Sequence, residues 1–244
     1  MNLFGKTVVL TGAGGGIGSV LAEKLHLEGA KLFLTSTEAR KLDELRGKLA
    51  GTDRIFLTDF LLPNQIKELV DNIKRETDVV DILINAAGVG IYKSLEELSQ
   101  KDWEDSFKIN AEAPFLLIQK LLPLLQKSSE SLVLNIGSGT GVIPQRNRSA
   151  YGASKFALRG LTLDLAEEFT RKSPRFCLIT LGSTLTNFAG VPVEEKIKRS
   201  KEGHAYFTPE WVANKLIEIM KSDNRKVEYT CYPSDYGFGN WNKP

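Results

Sequence analysis

Short runs of apolar and β-branched residues recur along the chain at 7–11, 31–35, 54–58, 81–85, 131–136 and 175–180. Between them lie longer stretches in which apolar positions return every three to four residues, at 16–28, 38–49, 63–77, 102–127 and 150–172. The first pattern fits strands buried on both faces, and the second fits amphipathic helices. Their alternation predicts a doubly wound α/β chain, a mostly parallel sheet with helices on both faces, built as a single domain over residues 1–244. Ligands of such sheets gather beyond the carboxyl ends of the strands, so the chemistry is to be sought in the residues that follow each strand. No repeat, low-complexity tract or linker interrupts the pattern. The stretch 187–207 is irregular and mixed in composition, and we expect a mobile loop there that frames a substrate.

Composition narrows the classes. A chain of 244 residues with 42% hydrophobic content can bury one large core. Its 32 basic and 30 acidic residues leave no field for nucleic acid and no acidic tail. The basic run Lys196, Lys198, Arg199, Lys201 is interleaved with Glu194, Glu195 and Glu202, as on a solvated helix face. The longest apolar stretch, 113–125, carries Gln119 and Lys120 and is too short to span a bilayer. The first residues lead straight into a strand without a signal peptide. Only Cys177 and Cys231 occur, both in strand-like surroundings, which predicts free thiols in a reducing compartment and a cytoplasmic protein. His26 and His204 stand alone, and no metal site is expected.

The first strand runs into Thr11-Gly12-Ala13-Gly14-Gly15-Gly16-Ile17-Gly18. Missing β-carbons there allow a tight turn and let a pyrophosphate approach the backbone at a helix N-terminus. The strict G-x-G-x-x-G spacing fails, because Ile17 stands where the third glycine would fall. Position strengthens the reading: two further strand tips carry small or polar residues, Asp59 after the third and Asn85-Ala86-Ala87-Gly88 after the fourth. Together they suit a dinucleotide. Downstream, Ser138, Tyr151 and Lys155 combine a hydroxyl, a phenol and an amine. The phenol and the amine are four residues apart, on one helix face. A free phenol, with pKa near ~10, is a poor acid and a scarce base at neutral pH, and an adjacent ammonium is expected to lower that value. No other tyrosine in the chain has a lysine at its fourth following position.

On these motifs the chain resembles the classical short-chain dehydrogenase/reductase family over most of its length, with weaker support beyond about Asn187. Thr11-Gly12-x-x-x-Gly16-Ile17-Gly18 resembles the family's cofactor motif, Asn85-Ala86-Ala87-Gly88 its fourth-strand motif, and Asn110, Ser138, Tyr151, Lys155 its catalytic tetrad. The resemblance implies a Rossmann fold and hydride transfer between a nicotinamide and a carbonyl or alcohol. Tyr151 would then exchange the proton, Ser138 would polarise the substrate oxygen, and Lys155 would act on the phenol and the nicotinamide ribose. Asn110 would lie near Pro114 in the long fourth helix, where a disturbed hydrogen-bond ladder can hold a water connecting Lys155 to solvent. Glycines 12, 15 and 18 also match the extended epimerase branch, but too little chain follows the sixth strand for its substrate domain. Where the family usually has Pro-Gly after that strand, this chain has Leu181-Gly182. Thr184 and Thr186 are carried over as carboxamide contacts.

At the tip of the second strand, Ser36 stands where NAD-preferring members carry an acid. A neutral residue there admits a 2′-phosphate, with Thr37 and Arg40 in reach, so NADP(H) is favoured over NAD(H). Glu38 keeps the alternative open, although a helix start also suits it. The substrate walls are expected from Ile143, Gln145, Phe188, Val191 and Phe207. Arg146 and Arg148 could receive an acidic carrier, which makes 3-oxoacyl-[acyl-carrier-protein] reductase the second reading. A dinucleotide-binding sensor or scaffold without catalysis is the third. The partner expected is a small carbonyl or alcohol, with no nucleic acid and no membrane, and the protein is expected to be a homodimer or homotetramer.

Overall fold

The computed structural model describes residues 1–49 and 53–240. Seven strands form one parallel sheet: β1 (Thr7–Thr11), β2 (Lys31–Ser36), β3 (Arg54–Leu57), β4 (Ile82–Asn85), β5 (Leu132–Ile136), β6 (Arg175–Leu181) and β7 (Glu228–Cys231). Their spatial order is β3-β2-β1-β4-β5-β6-β7. The order reverses at β1, which pairs with both β2 and β4, and that reversal opens the crevice where ligands of such sheets bind. Every residue of β1, β4 and β5 is buried, which accounts for runs without polar alternation.

Helices α1 (Gly16–Leu27), α2 (Ala39–Lys48) and α8 (Pro209–Lys221) cover one face, where Leu21, Leu42 and Leu216 share a core with Val8 and Leu134. Helices α3 (Pro63–Glu76), α5 (Ala113–Leu125) and α6 (Ser149–Glu168) cover the other, with Leu69, Leu117 and Val133 in its core. Two shorter helices, α4 (Gln100–Phe107) and α7 (Val193–Lys201), complete the set.

The helix expected at 102–127 is interrupted. Ser99 and Asp102 cap the start of α4 reciprocally, and a π-turn at Lys108–Glu112 separates α4 from α5. Pro114 has no N–H to donate to the carbonyl four residues back, and the Ala113 N–H instead reaches the Lys108 carbonyl, five residues back. The region 187–207 also departs from the expected loop. After a single 3₁₀ turn at Phe188–Gly190 it forms α7, in which Lys196 is half-buried and donates to the Thr186 carbonyl at 2.6 Å. Cys177 and Cys231 are both free and buried, as expected.

The end of the sheet away from the crevice is tied by Asp81. Its carboxylate accepts from Thr7 N (2.9 Å), Lys6 Nζ (3.0 Å) and Ser128 Oγ (2.8 Å). Burial alone would raise its pKa, but those three donors prevail and lower it. Asp81→Ala should therefore destabilise the fold by about 2–3 kcal/mol at neutral pH. A folded pKa below the unfolded one stabilises above the unfolded value, and that contribution is lost as pH falls through the folded pKa. Denaturant melts should accordingly find the gap between variant and wild type closing at acid pH.

Candidate active site

The crevice floor is the turn after β1. Gly12 adopts φ +71°, and a Cβ on it would come within 2.8 Å of the Ala87 backbone. A Cβ on Gly18 would lie 2.1 Å from the Gly12 carbonyl oxygen, so only glycine fits either position. Thr11 Oγ1 accepts from Ala86 N and Ala87 N, both at 3.1 Å, and pins the fourth-strand tip to the turn. Gly15, at the N-cap of α1, brings no side-chain cap, and the first-turn N–H groups around Gly16, Ile17 and Gly18 have no partner within the helix. A cradle that a methyl group would fill, at an uncapped helix N-terminus, fits the pyrophosphate of a dinucleotide.

Two other strand ends close on the cradle. Ser36 is buried and its hydroxyl would sit 2.3 Å from a Cβ on Gly14, with the Lys41 Cβ at 3.0 Å from the same point. The Thr186 methyl lies 2.6 Å from where a Gly16 Cβ would be, so Thr186 faces the turn across the crevice. Thr184 is buried and bridged to Phe207, with its carbonyl accepting from Thr186 N. Thr37 and Arg40 are exposed, and Arg40 is paired with Glu44 at 2.8 Å. Asp59 accepts from Leu61 N. The Asn85 side chain points into the sheet and donates to Asn135 Oδ1 at 2.7 Å, while Asn135 donates to Thr162 Oγ1 at 2.8 Å. What Asn85 offers a cofactor is therefore its main chain.

Tyr151 and Lys155 share one buried face of α6. Lys155 Nζ lies 6.0 Å from the phenol ring centre and donates to the Ile136 carbonyl at 2.8 Å, at the end of β5. Ser138 follows that strand, and its hydroxyl is within hydrogen-bonding reach of the phenol while also accepting from Thr140 N. Asn110 is fully buried in the π-turn. Its Oδ1 accepts from Val89 N (2.9 Å), and its Nδ2 donates to Val89 O (2.9 Å) and Ser154 Oγ (3.0 Å). The amide thus splints the fourth-strand tip to α6. Both Nδ2 donors are used in this way, while Oδ1 accepts one bond.

The phenol departs from expectation. Burial dominates and holds Tyr151 well above the ordinary phenol range, with neighbouring Tyr92 adding to the rise. Ser138 and Arg148 pull it down without prevailing. Burial, not Lys155, dominates there: the ammonium gives one of its three N–H groups to Ile136 O, and burial lowers the lysine itself to about 8. At neutral pH Tyr151 carries its proton and Lys155 its charge. That is the state for donating a proton to a carbonyl oxygen beside a waiting cation.

Among the expected pocket walls, Phe188 is placed against the phenol with ring centres 5.8 Å apart. Phe207 is not a wall: it is fully buried and stacked on Trp211 at 3.9 Å, because the chain after α7 dives under α8. Ile143, Gln145 and Val191 are half-buried, and Arg146 is exposed. Sequence reasoning missed Lys41, beside Ser36, and Tyr92, whose ring meets Tyr151 edge-on at 5.5 Å. A second base after Arg40 in the first turn of α2 was the available signal for Lys41. Nothing in the order of residues foretold Tyr92.

The short chain dehydrogenase family model matches residues 6–196. A D-beta-hydroxybutyrate dehydrogenase of Rhizobium meliloti is 28% identical over 87% of this chain and 82% of its own. A 3-oxoacyl-[acyl-carrier-protein] reductase of Escherichia coli is 29% identical over 69% of each chain. A short-chain dehydrogenase structure from Shigella flexneri, complexed with NADP, superposes with a TM-score of 0.81 at 26% identity, covering 94% of this chain and 98% of the other. The chain belongs to the short-chain dehydrogenase family. It is an NAD(P)-dependent oxidoreductase acting on alcohol and carbonyl groups. Among the described residues no helix is long and apolar enough to cross a membrane, and no three or more His, Cys, Asp or Glu side chains are grouped to hold a metal ion.

Proposed function

We infer that the protein reduces a small carbonyl compound with NADPH, Tyr151 serving as the proton donor. The observation that carries this reading is the buried, protonated phenol flanked by Ser138 and charged Lys155 at the mouth of the crevice. When bound, the nicotinamide supplies a hydride to the carbonyl carbon. Gly12, Gly14, Gly15, Gly16, Ile17 and Gly18 hold the pyrophosphate, with Asp59 and the main chain of Asn85, Ala86, Ala87 and Gly88 around the adenosine side. Thr184 and Thr186 orient the carboxamide. Tyr151 gives its proton to the substrate oxygen while Ser138 donates to the same atom. Lys155 holds the ribose and offsets the phenolate left behind. The reverse reaction runs through the same groups.

The preference for NADPH rests on neutral Ser36 against the glycine turn, with Lys41 beside it and Thr37 and Arg40 on the rim. Ser36→Asp should lower the NADPH/NADH ratio of kcat/KM at least about tenfold, or ~1.4 kcal/mol, by placing a carboxylate against the 2′-phosphate. Lys41→Ala should lower it through NADPH alone. Steady-state rates with both cofactors test this, and an unmoved ratio in both variants would remove the 2′-phosphate from this corner. Exposed Trp103, Phe115 and Phe156 lie on α4, α5 and α6, and they support a homodimer or homotetramer formed through those helices. Two buried free thiols suit the cytoplasm. Residues 187–207, with α7, bound the substrate. Retention of all four tetrad residues argues against a non-catalytic sensor, and no feature of the pocket selects a carrier protein.

A further inference from the structure

Arg148 is the residue of this site whose placement the reaction leaves unexplained. It stands one turn before Tyr151, at the N-cap of α6. Its guanidinium lies 4.3 Å from the centre of the Tyr92 ring, and Nη1 donates to Thr140 Oγ1 at 3.2 Å. Tyr92 in turn meets the ring of Tyr151 at 5.5 Å. An aromatic face and a hydroxyl fix the orientation of the guanidinium, yet neither cancels its charge. Burial raises the Tyr92 phenol against the pull of Arg148, so that neighbour stays neutral. Among the described residues Arg148 makes no ion pair. Most of its five donors are free.

Arg146, two residues earlier, is exposed like an ordinary loop charge. Arg148 is half-buried, held in one position, and close enough to the phenol to act on its charge. A cation fixed beside a proton donor, lacking a carboxylate of its own, is complementary to one brought by the substrate. Guanidinium and carboxylate match in shape as well as charge, through paired N–H···O bonds. A single guanidinium also balances the single charge of a carboxylate better than the double charge of a phosphate ester. The short reach from the Tyr92 face to the phenol limits how far the anion can lie from the reacting carbonyl.

We propose that Arg148, braced by Tyr92 and Thr140, receives the carboxylate of the substrate, which is a short oxo acid in reduction and the matching hydroxy acid in the reverse direction. This rests on the carbonyl-reducing reading above and names the substrate class of the same site.

The test follows NADPH oxidation by the full chain with 2-, 3- and 4-oxo acids, their methyl esters, neutral ketones, a phosphorylated ketone and a 3-oxoacyl thioester of N-acetylcysteamine. At least one oxo acid should exceed its ester at least about tenfold in kcat/KM, mostly through KM. Arg148→Met keeps an apolar stem over Tyr92 and should remove that difference, and Arg148→Lys should restore part of it. NADPH fluorescence titration and thermal melts show whether each variant remains folded. If Arg148→Met does not fold, the wild-type acid-to-ester ratio and Arg148→Lys decide. Equal use of acid and ester, an acid preference that survives Arg148→Met, or a clear preference for the phosphate or the thioester would overturn the proposal. Turnover of neutral ketones with all acids ignored would do so while leaving the reductase reading intact. Silence across the whole panel would remove both.

Discussion

Tyr151→Phe is expected to lower kcat by about 10²–10⁴-fold and to leave NADPH affinity nearly unchanged. The substitution removes one oxygen and keeps the ring that Tyr92 and Phe188 pack against. What disappears is the hydroxyl proposed to give its proton to the substrate oxygen. Burial makes this sharper, since a phenol held above its ordinary range stays protonated throughout the neutral region. Single-turnover reduction together with NADPH titration separates chemistry from binding. A variant retaining more than about a tenth of wild-type kcat would move the proton donor elsewhere.

Lys155→Met should give the second large effect, with two parts of opposite sign. Turnover should fall by at least about 100-fold, and cofactor affinity should weaken as well, because the ammonium serves the phenolate and the ribose. The cofactor-free protein, however, should become more stable by about 1–2 kcal/mol at pH 7. Burial lowers this lysine to about 8 from an ordinary value near 10.5, so keeping it charged opposes folding. Between those values the unfolded chain holds more protons than the native one, and wild-type stability rises with pH across that window. The advantage of the methionine variant should therefore be full below about pH 8 and shrink toward pH 10.5. Melting curves across that range check the sign. Wild-type reduction should be level below about pH 8 and fall above it as the ammonium discharges.

Much of this was legible in the order of residues, because parallel strands buried on both faces must be continuously apolar. The runs at 7–11 and 131–136 thus gave β1 and β5 nearly to the residue. Glycines 12 and 18 were readable for a related reason, since no other residue survives a 2–3 Å approach by backbone. The π-turn was half legible: Pro114 announces a broken ladder, but not that the Asn110 amide would take up both polar groups of Val89, 21 residues away. Pairings of that kind are tertiary. The same holds for Phe207, an aromatic in an irregular stretch, which only the packing of α8 assigns to the core. The behaviour of the phenol was misjudged because spacing on a helix gives proximity to Lys155 but says nothing of burial. At this site burial outweighs proximity.

The Asn85–Asn135 contact bears on how the chain finds its alignment. These two residues are partners in the β4–β5 ladder, and Thr162 on α6 completes the chain of bonds beneath them. Asn85 Oδ1 is left buried without a partner, so the contact contributes little net stability. Its effect falls on competing structures. Valine and leucine tolerate many neighbours, and an all-apolar pair of central strands could slide by one or two residues at small penalty. Two amides that meet in only one alignment exclude those slides, since each would strand a side chain in hydrocarbon at about 1–3 kcal/mol. The polar pair works as a vernier, holding the strand that leads to Ser138 level with the strand that leads to Gly88.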